Sequence, residues 1–350
     1  MKAGILYAPN DIRYGEIEKP EVTNDGVLVQ VKYTGICGSD IPRVFAGASR
    51  QYPNILGHEF SGVVAEVGKN VNNVVVGDHV VGIPLVPCNN CEDCLEGNYA
   101  LCKNYSFIGS RQYGSMAEFV SLPKENVLKI DKSIDFKEAA FFEPATVALH
   151  GIDLLGDIKE NCSVAILGGG TIGLLAAQMM KKLGARQIAI IGRRVERLEI
   201  ARKIGFSHIY STLNDVYQKE LMQLTNQQGF DYVIETSGSE ETTKIAFQIV
   251  KNKGKVCYIG TPKKEITFSI KEWEYLNRKE ATVLGSWMSY SYPFPGTEWN
   301  RVAELFRKND IRVYSEMIDE IYPLSEIKQA FECFQSESGV MGKILINSEL

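Results

Sequence analysis

Over residues 1 to about 148, apolar residues come in short runs broken every few positions by Gly, Asn, Asp or Pro. That pattern predicts short strands at 27–33, 61–67, 79–83 and 116–121, joined by turns. The rhythm then changes. An apolar strand at 163–167 is followed by a helix at 172–183 that is apolar nearly all round, a strand at 187–191, and a helix at 195–204 with its charges on one face. A strand at 231–235, a helix at 242–249 and a strand at 254–259 continue the alternation, which implies βαβ units and a parallel sheet. After about residue 285 the pattern is irregular, then resumes as a helix at 298–308 and ends in a strand at 342–346. The expected organisation is α/β: a discontinuous β-rich unit, 1–148 with 287–350, around a parallel-sheet unit at 149–286.

Composition narrows the class. The 350 residues are 45% apolar and 23% charged with 31 glycines, which excludes disorder, collagen and coiled coil as the main architecture. A net charge of −5 gives no electrostatic reason to expect nucleic acid or an anionic membrane as partner. The uncharged stretch from Cys162 to Met180 holds Gly168, Gly169, Gly170 and Gly173, so it reads as strand, glycine turn and helix, not as a membrane span. The first twenty residues lack the apolar core of a secretion signal, and a cytoplasmic enzyme is expected.

The glycine turn carries chemistry. Gly168-Gly-Gly170-Thr171-Ile172-Gly173 gives G-x-G-x-x-G after a strand and at the start of a helix, where free N–H groups can meet a pyrophosphate. A dinucleotide is the expected cofactor. At the end of the next strand an NAD site usually carries an acid; here the residues are Gly192, Arg193 and Arg194, whose guanidinium groups suit a 2′-phosphate. NADP is therefore favoured over NAD.

The eight cysteines are uneven. Cys88, Cys91, Cys94 and Cys102 have the spacing of four thiolates closing on one zinc, and a shell of four cysteines leaves no open position, so the site is expected to be structural. Glu92 and Asp93 between them argue against a nucleic-acid-binding finger. A second set is spread along the chain: Cys37 in GICGSD, His58 and Glu59 in LGHEFSG, and Glu143 in FFEPATVALH. Three mixed ligands with one open position are the pattern of a catalytic zinc.

These motifs resemble the medium-chain dehydrogenase family, and the resemblance spans essentially the whole chain. It implies a GroES-like catalytic domain and a Rossmann domain, two zinc ions per chain, and catalytic zinc on Cys37, His58 and Glu143. A Glu at that third position is similar to the polyol branch. CGSDIPRVF, YPNILGHEFSG, IPLVPCNNCEDCLEGNY, YSFIGSR and LGSWMSYSYPFPGTEW tighten it to the polyol-phosphate members, so the expected reaction interconverts a polyol phosphate and a ketose phosphate, with a hexitol phosphate preferred. A pentitol phosphate, a free polyol or a threonine-type amino alcohol are the alternatives. A non-catalytic zinc and nucleotide-binding module is disfavoured by Cys37, His58 and Glu143 occurring together.

In this resemblance Ser39 is the hydroxyl relay for the proton, Glu59 a base beside the metal or an alternating ligand, and Arg43 and Arg111 the cations for a substrate phosphate. Trp287 and Tyr290 line the cleft, and a homodimer or homotetramer forms through a strand near 282–286. Two departures stand out. Pro42 occupies a position where many relatives have His, although the hexitol-phosphate members share the proline. Those members also carry an Asp where this chain has Gly192, so their NAD preference does not carry over.

Overall fold

A computed structural model describes residues 1–336 and 339–349; positions 337, 338 and 350, which the expected 287–350 segment takes in, lie outside the described residues. The chain divides into two compact units, Met1–Glu143 with Tyr290–Leu350, and Pro144–Ser289.

The second unit is a six-stranded, all-parallel sheet. Its spatial order is His208–Ser211, Gln187–Gly192, Ser163–Leu167, Phe230–Glu235, Val250–Tyr258, Thr282–Gly285. In sequence order that reads 3-2-1-4-5-6, the doubly wound arrangement in which the order reverses beside the first strand. Strands covered on both faces must be apolar almost throughout. Val164, Ala165, Ile166, Leu167, Val233 and Ile234 are accordingly fully buried. The glycine turn leaves the first strand at its carboxyl end, where ligands bind in such sheets.

The first unit is built on a β-rich sheet in which Gly26–Gly35 is the hub. It pairs antiparallel with Glu59–Val67 on one side and with Lys343–Asn347 on the other, and also with Phe119–Pro123. The returning strand predicted near the end of the chain thus lies inside this sheet, between Gly26–Gly35 and Ile318–Pro323. One predicted strand is displaced. The run at 116–121 enters the hub's ladder only from Phe119, because Met116 bonds Leu56 and Gly4 instead and Ala117 bridges to Ala3. The helix Phe142–Leu154 was not predicted, yet its signal is present. Pro144 is tolerated in a first turn, and the buried Ala145, Ala148, Leu149 and Ile152 repeat at helical spacing.

Among the described residues no helix is long and apolar enough to cross a membrane.

Candidate active site and metal centres

The four-cysteine lobe lies between the short strands Leu85–Val86 and Ser106–Phe107. Cys91 caps the one-turn helix Glu92–Leu95, which turns Cys94 inward, and the Cys88 backbone N–H donates to Cys102 Sγ at 3.4 Å. The four sulfurs all lie within 4.8 Å of one another, with Cys88 and Cys94 at 3.9 Å. A tetrahedron with zinc–sulfur bonds of about 2.3 Å has edges of about 3.8 Å, so the cluster fits that ion. Backbone N–H groups, that of Asn90 foremost, hold the Cys88 thiol down at about 6. Burial pushes Cys94 up to about 12 and Cys102 upward. Four thiols so divided cannot all ionise without a cation among them.

The second cluster is assembled by three strands. Cys37 follows the hub strand, His58 precedes Glu59–Val67, and the register of those strands sets Glu59 opposite Gly35. Cys37, His58 and Glu59 bring a ligand atom each within 4.8 Å of one another. Lys343, from the returning strand, donates to Glu59 Oε2 at 2.5 Å and to the Ile36 carbonyl at 3.3 Å, and both charged side chains are buried. A Cβ on Gly35 would lie 2.5 Å from Glu59 Oε2, so only glycine leaves room for this ion pair. His58 keeps Nδ1 without a hydrogen-bond partner among the described residues, with Asp40 Oδ1 3.7 Å away. Asp40, fully buried, accepts from the Cys37 backbone N–H at 3.1 Å and from Arg43 Nη1 at 2.8 Å.

Charge decides what this cluster wants. Glu59 has Lys343 and Asp40 has Arg43, while the charge of Glu143 reaches Cys37, although Glu143 is not among the three residues whose ligand atoms lie within 4.8 Å of one another. Burial pushes Cys37 up to about 12, with Glu59 adding to it. Burial also raises Glu143 to about 7, with His58 opposing and Glu59 adding. A thiol held protonated and a carboxyl raised by burial, beside a buried imidazole, fit a divalent cation that would favour the ionised form of both. Sequence reasoning missed Lys343 and Asp40. A lysine opening the otherwise apolar K-I-L-I run was the available signal for the first.

The glycine turn opens a cavity of about 600 Å³ in the second unit, lined by Gly168, Gly170, Arg193, Arg194, Arg197 and Lys264 among others. Gly168 has φ +117°, and Gly173, with a Cβ, would run into the Gly168 carbonyl. A Cβ on Gly170 would meet nothing within 4 Å, so the space there is kept from the protein's own packing. Thr171 and Ile172 form the first turn of the helix Thr171–Lys182, with N–H groups facing its open end. Gly192 ends its strand, Arg193 follows, and Arg194 caps the helix Val195–Lys203; both arginines are exposed to the cavity. Arg197 and Lys264 were not anticipated and add two cations. Glu235, fully buried at the end of its strand, gathers the loop that forms one wall: it accepts from the N–H groups of Ser237 and Gly238 and from the Ser237 and Thr242 hydroxyls at 2.8–3.1 Å.

The remaining expected residues are placed as follows. Ser39 is exposed; its hydroxyl donates to Cys37 Sγ at 3.3 Å and accepts from Arg43 Nη1 at 3.0 Å. Arg43 is thus engaged by Asp40 and Ser39. Arg111 donates to the Tyr105 carbonyl at 2.9 Å and lies 4.0 Å over the Tyr105 ring. Trp287 belongs to the second unit and is half exposed, whereas Tyr290 is buried in the first.

A β-rich unit with two metal-type clusters, joined in one chain to a doubly wound sheet with a glycine turn, defines a zinc-dependent, nicotinamide-dependent dehydrogenase. The alcohol dehydrogenase GroES-like domain matches residues 23–132 and the zinc-binding dehydrogenase domain matches residues 171–307; the chain belongs to the zinc-dependent medium-chain alcohol and polyol dehydrogenase family. It is 33% identical to galactitol 1-phosphate 5-dehydrogenase of Escherichia coli K12 over 99% of both chains. It is 32% identical to D-arabitol-phosphate dehydrogenase of Enterococcus avium over 99% of this chain and 97% of that one. The crystal structure of the E. coli galactitol-1-phosphate dehydrogenase superposes with a TM-score of 0.93, covering 99% of this chain and all of that one. A zinc-binding dehydrogenase from Sinorhizobium meliloti, solved bound to NADP, gives 0.88 at 30% identity over 99% of this chain and 98% of its own.

Proposed function

We propose that this enzyme is a polyol-phosphate dehydrogenase, with galactitol 1-phosphate oxidised to tagatose 6-phosphate as first choice and a pentitol phosphate such as arabitol phosphate as runner-up. The observation that carries the reading is the buried Cys37–His58–carboxylate cluster in a chain similar along its whole length to two polyol-phosphate dehydrogenases. Bound zinc supplies Lewis acidity toward the substrate hydroxyl, and bound nicotinamide takes up the hydride. Cys37, His58 and Glu143 hold that zinc, while Lys343 keeps Glu59 at its edge as an alternating ligand. Cys88, Cys91, Cys94 and Cys102 hold the structural zinc. Ser39 passes the substrate's proton directly to solvent. Arg43, its other neighbour, can only donate, and Pro42 stands where a histidine would extend the path.

Arg43 and Arg111 supply charge for the phosphate. Each has committed only part of its five-donor fork, which leaves N–H groups for an anion. A charge-assisted hydrogen bond is worth roughly 1.5–3 kcal/mol, so kcat/KM for the phosphate ester exceeds that of the free polyol at least ~10-fold. Initial rates on galactitol 1-phosphate, arabitol phosphate, galactitol and sorbitol with one preparation check this. Equal turnover of a free polyol removes the phosphate from the assignment; preference for arabitol phosphate moves only the chain length.

For the coenzyme, Arg193 and Arg194 grip a 2′-phosphate, and NADP is favoured. The double change Arg193→Ser with Arg194→Ser is expected to raise KM for NADP at least ~10-fold by the same arithmetic and to leave KM for NAD within about threefold. Efficient use of NAD alone by the unaltered enzyme contradicts this assignment.

The assembly proposed is a C2 dimer, or a tetramer of such dimers, in the cytoplasm. The edge strand Thr282–Gly285 has one ladder partner among the described residues and leaves Val283 exposed, ready to pair with its copy. Light scattering at micromolar concentration should give at least twice the 39.0 kDa chain mass; a monomer alone rejects the dimer.

A further inference from the structure

Glu235 ends its strand fully buried, and among the described residues no cation pairs with it. A buried charge without a counter-ion is costly unless fixed dipoles take the place of water around it. Here four donors do so. The backbone N–H groups of Ser237 and Gly238 and the hydroxyls of Ser237 and Thr242 reach it at 2.8–3.1 Å. Burial raises the carboxyl above its ordinary value, and those same donors pull it back. Gly238 presents its N–H from a left-handed conformation (φ +64°). Thr242 lies in the first turn of the helix Glu240–Ile249, so the positive end of that helix meets the charge.

An ionised carboxylate only accepts, so it dictates which way the hydroxyls around it point. Ser237 and Thr242 both spend their hydrogen on Glu235. That leaves Ser239 to donate to Thr242 Oγ1 at 2.7 Å, while it accepts from the Thr242 N–H at 3.2 Å. Neighbouring backbone is kept bare for the same arrangement: a Cβ on Gly260 would lie 2.6 Å from Glu235 Oε2. Thr236, next in sequence, shares its hydroxyl between the Leu167 and Gly168 carbonyls at 3.1 and 3.3 Å. One strand end thus holds both the glycine turn and the loop 237–242. Ser237, Ser239, Glu240, Glu241 and Thr242 line the cavity, and Glu235 stands behind them, outside the lining.

We propose that Glu235 is a positioning residue for the coenzyme: its charge holds the loop 237–242 in the shape of the cavity wall, and so sets the affinity for a dinucleotide without touching it. The inference rests on the dinucleotide reading of the cavity, and not on which coenzyme or which polyol is used.

The test is Glu235→Gln, which keeps the shape, weakens the acceptor and sets an NH2 group against the Gly238 N–H. Fluorescence titration of the purified protein with NADPH and with NADH should show Kd raised about tenfold for both, with their ratio unchanged to within about twofold. At saturating coenzyme, KM for the best polyol substrate stays within about twofold. Thr242→Val removes one of the four donors and should raise both Kd values about threefold; it decides the matter if Glu235→Gln does not fold. Unchanged Kd values in a folded variant overturn the proposal, even with a lower melting temperature, because the carboxylate would then serve stability alone. A rise confined to NADPH overturns it too, since that effect would belong to Arg193 and Arg194. If the unaltered chain binds neither coenzyme, the dinucleotide reading itself fails. Equally tight binding by the unaltered chain and by Glu235→Gln removes this inference alone.

Discussion

Replacing His58 with Ala is expected to leave a folded protein that binds one zinc fewer and turns over at least ~1,000-fold more slowly. Lewis-acid stabilisation by a catalytic metal is worth several kcal/mol, and about 4 kcal/mol corresponds to a thousandfold in rate. The fold should survive because the imidazole makes little of it. Among the described residues its Nδ1 has no hydrogen-bond partner, and its ring makes an edge-on approach to Phe107 at 5.5 Å. The sheet around it is held by the ladder from Gly26–Gly35 to Glu59–Val67, which does not depend on the side chain at position 58. Circular dichroism, metal analysis and initial rates on one preparation check the three parts together. A folded His58→Ala enzyme with full activity would remove the catalytic role from this cluster.

The second large effect is the opposite in kind. Cys94→Ser is expected to remove the other zinc and to lower stability enough that soluble yield drops sharply. Cys94 is buried, with its thiol pushed up to about 12, and it lies on the single helical turn Glu92–Leu95 within the lobe. Around it are segments with little regular structure: one turn of helix, one turn of 3-10 helix and two two-residue strands. Such a lobe buries too little apolar surface to order itself. Structural zinc in small lobes contributes on the order of 10 kcal/mol of binding free energy that is also folding free energy. Thermal melting with and without a chelator measures it. A Cys94→Ser protein that melts like the unaltered chain and keeps about two zinc ions would refute the structural role.

These two expectations were legible in the sequence to different degrees. The four cysteines lie within fifteen positions, so spacing alone brings them together. Cys37 and His58 were legible as motifs, but their convergence depends on strand register, which spacing does not give. The parallel sheet was readable because each of its inner strands is a short apolar run closed by a glycine or charged turn. The helix Ile270–Lys279 was missed although Ser269 and Glu272 form a complete capping box, because the window after it is strongly polar and none of its residues is buried. Lys343 could not be given a role from sequence. Its partner Glu59 is 284 positions away, and only the pairing of the returning strand with the hub brings them into contact.

The returning strand has a consequence for the newborn chain. Pro144–Ser289 is continuous, so that unit can close as soon as its own residues have left the ribosome. The β-rich unit cannot. Its hub strand has its far neighbour in Lys343–Asn347, and Glu59 waits for the ammonium group carried there. The roughly 200 residues between Glu143 and Lys343 take about 10–40 s to add at ordinary rates of synthesis. For that interval the hub edge is an open ladder, and a carboxylate destined for burial has no cation beside it. The half of the enzyme that carries the metal chemistry is begun before the continuous unit and completed after it, and it is the half more exposed to chaperones and to mispairing during translation.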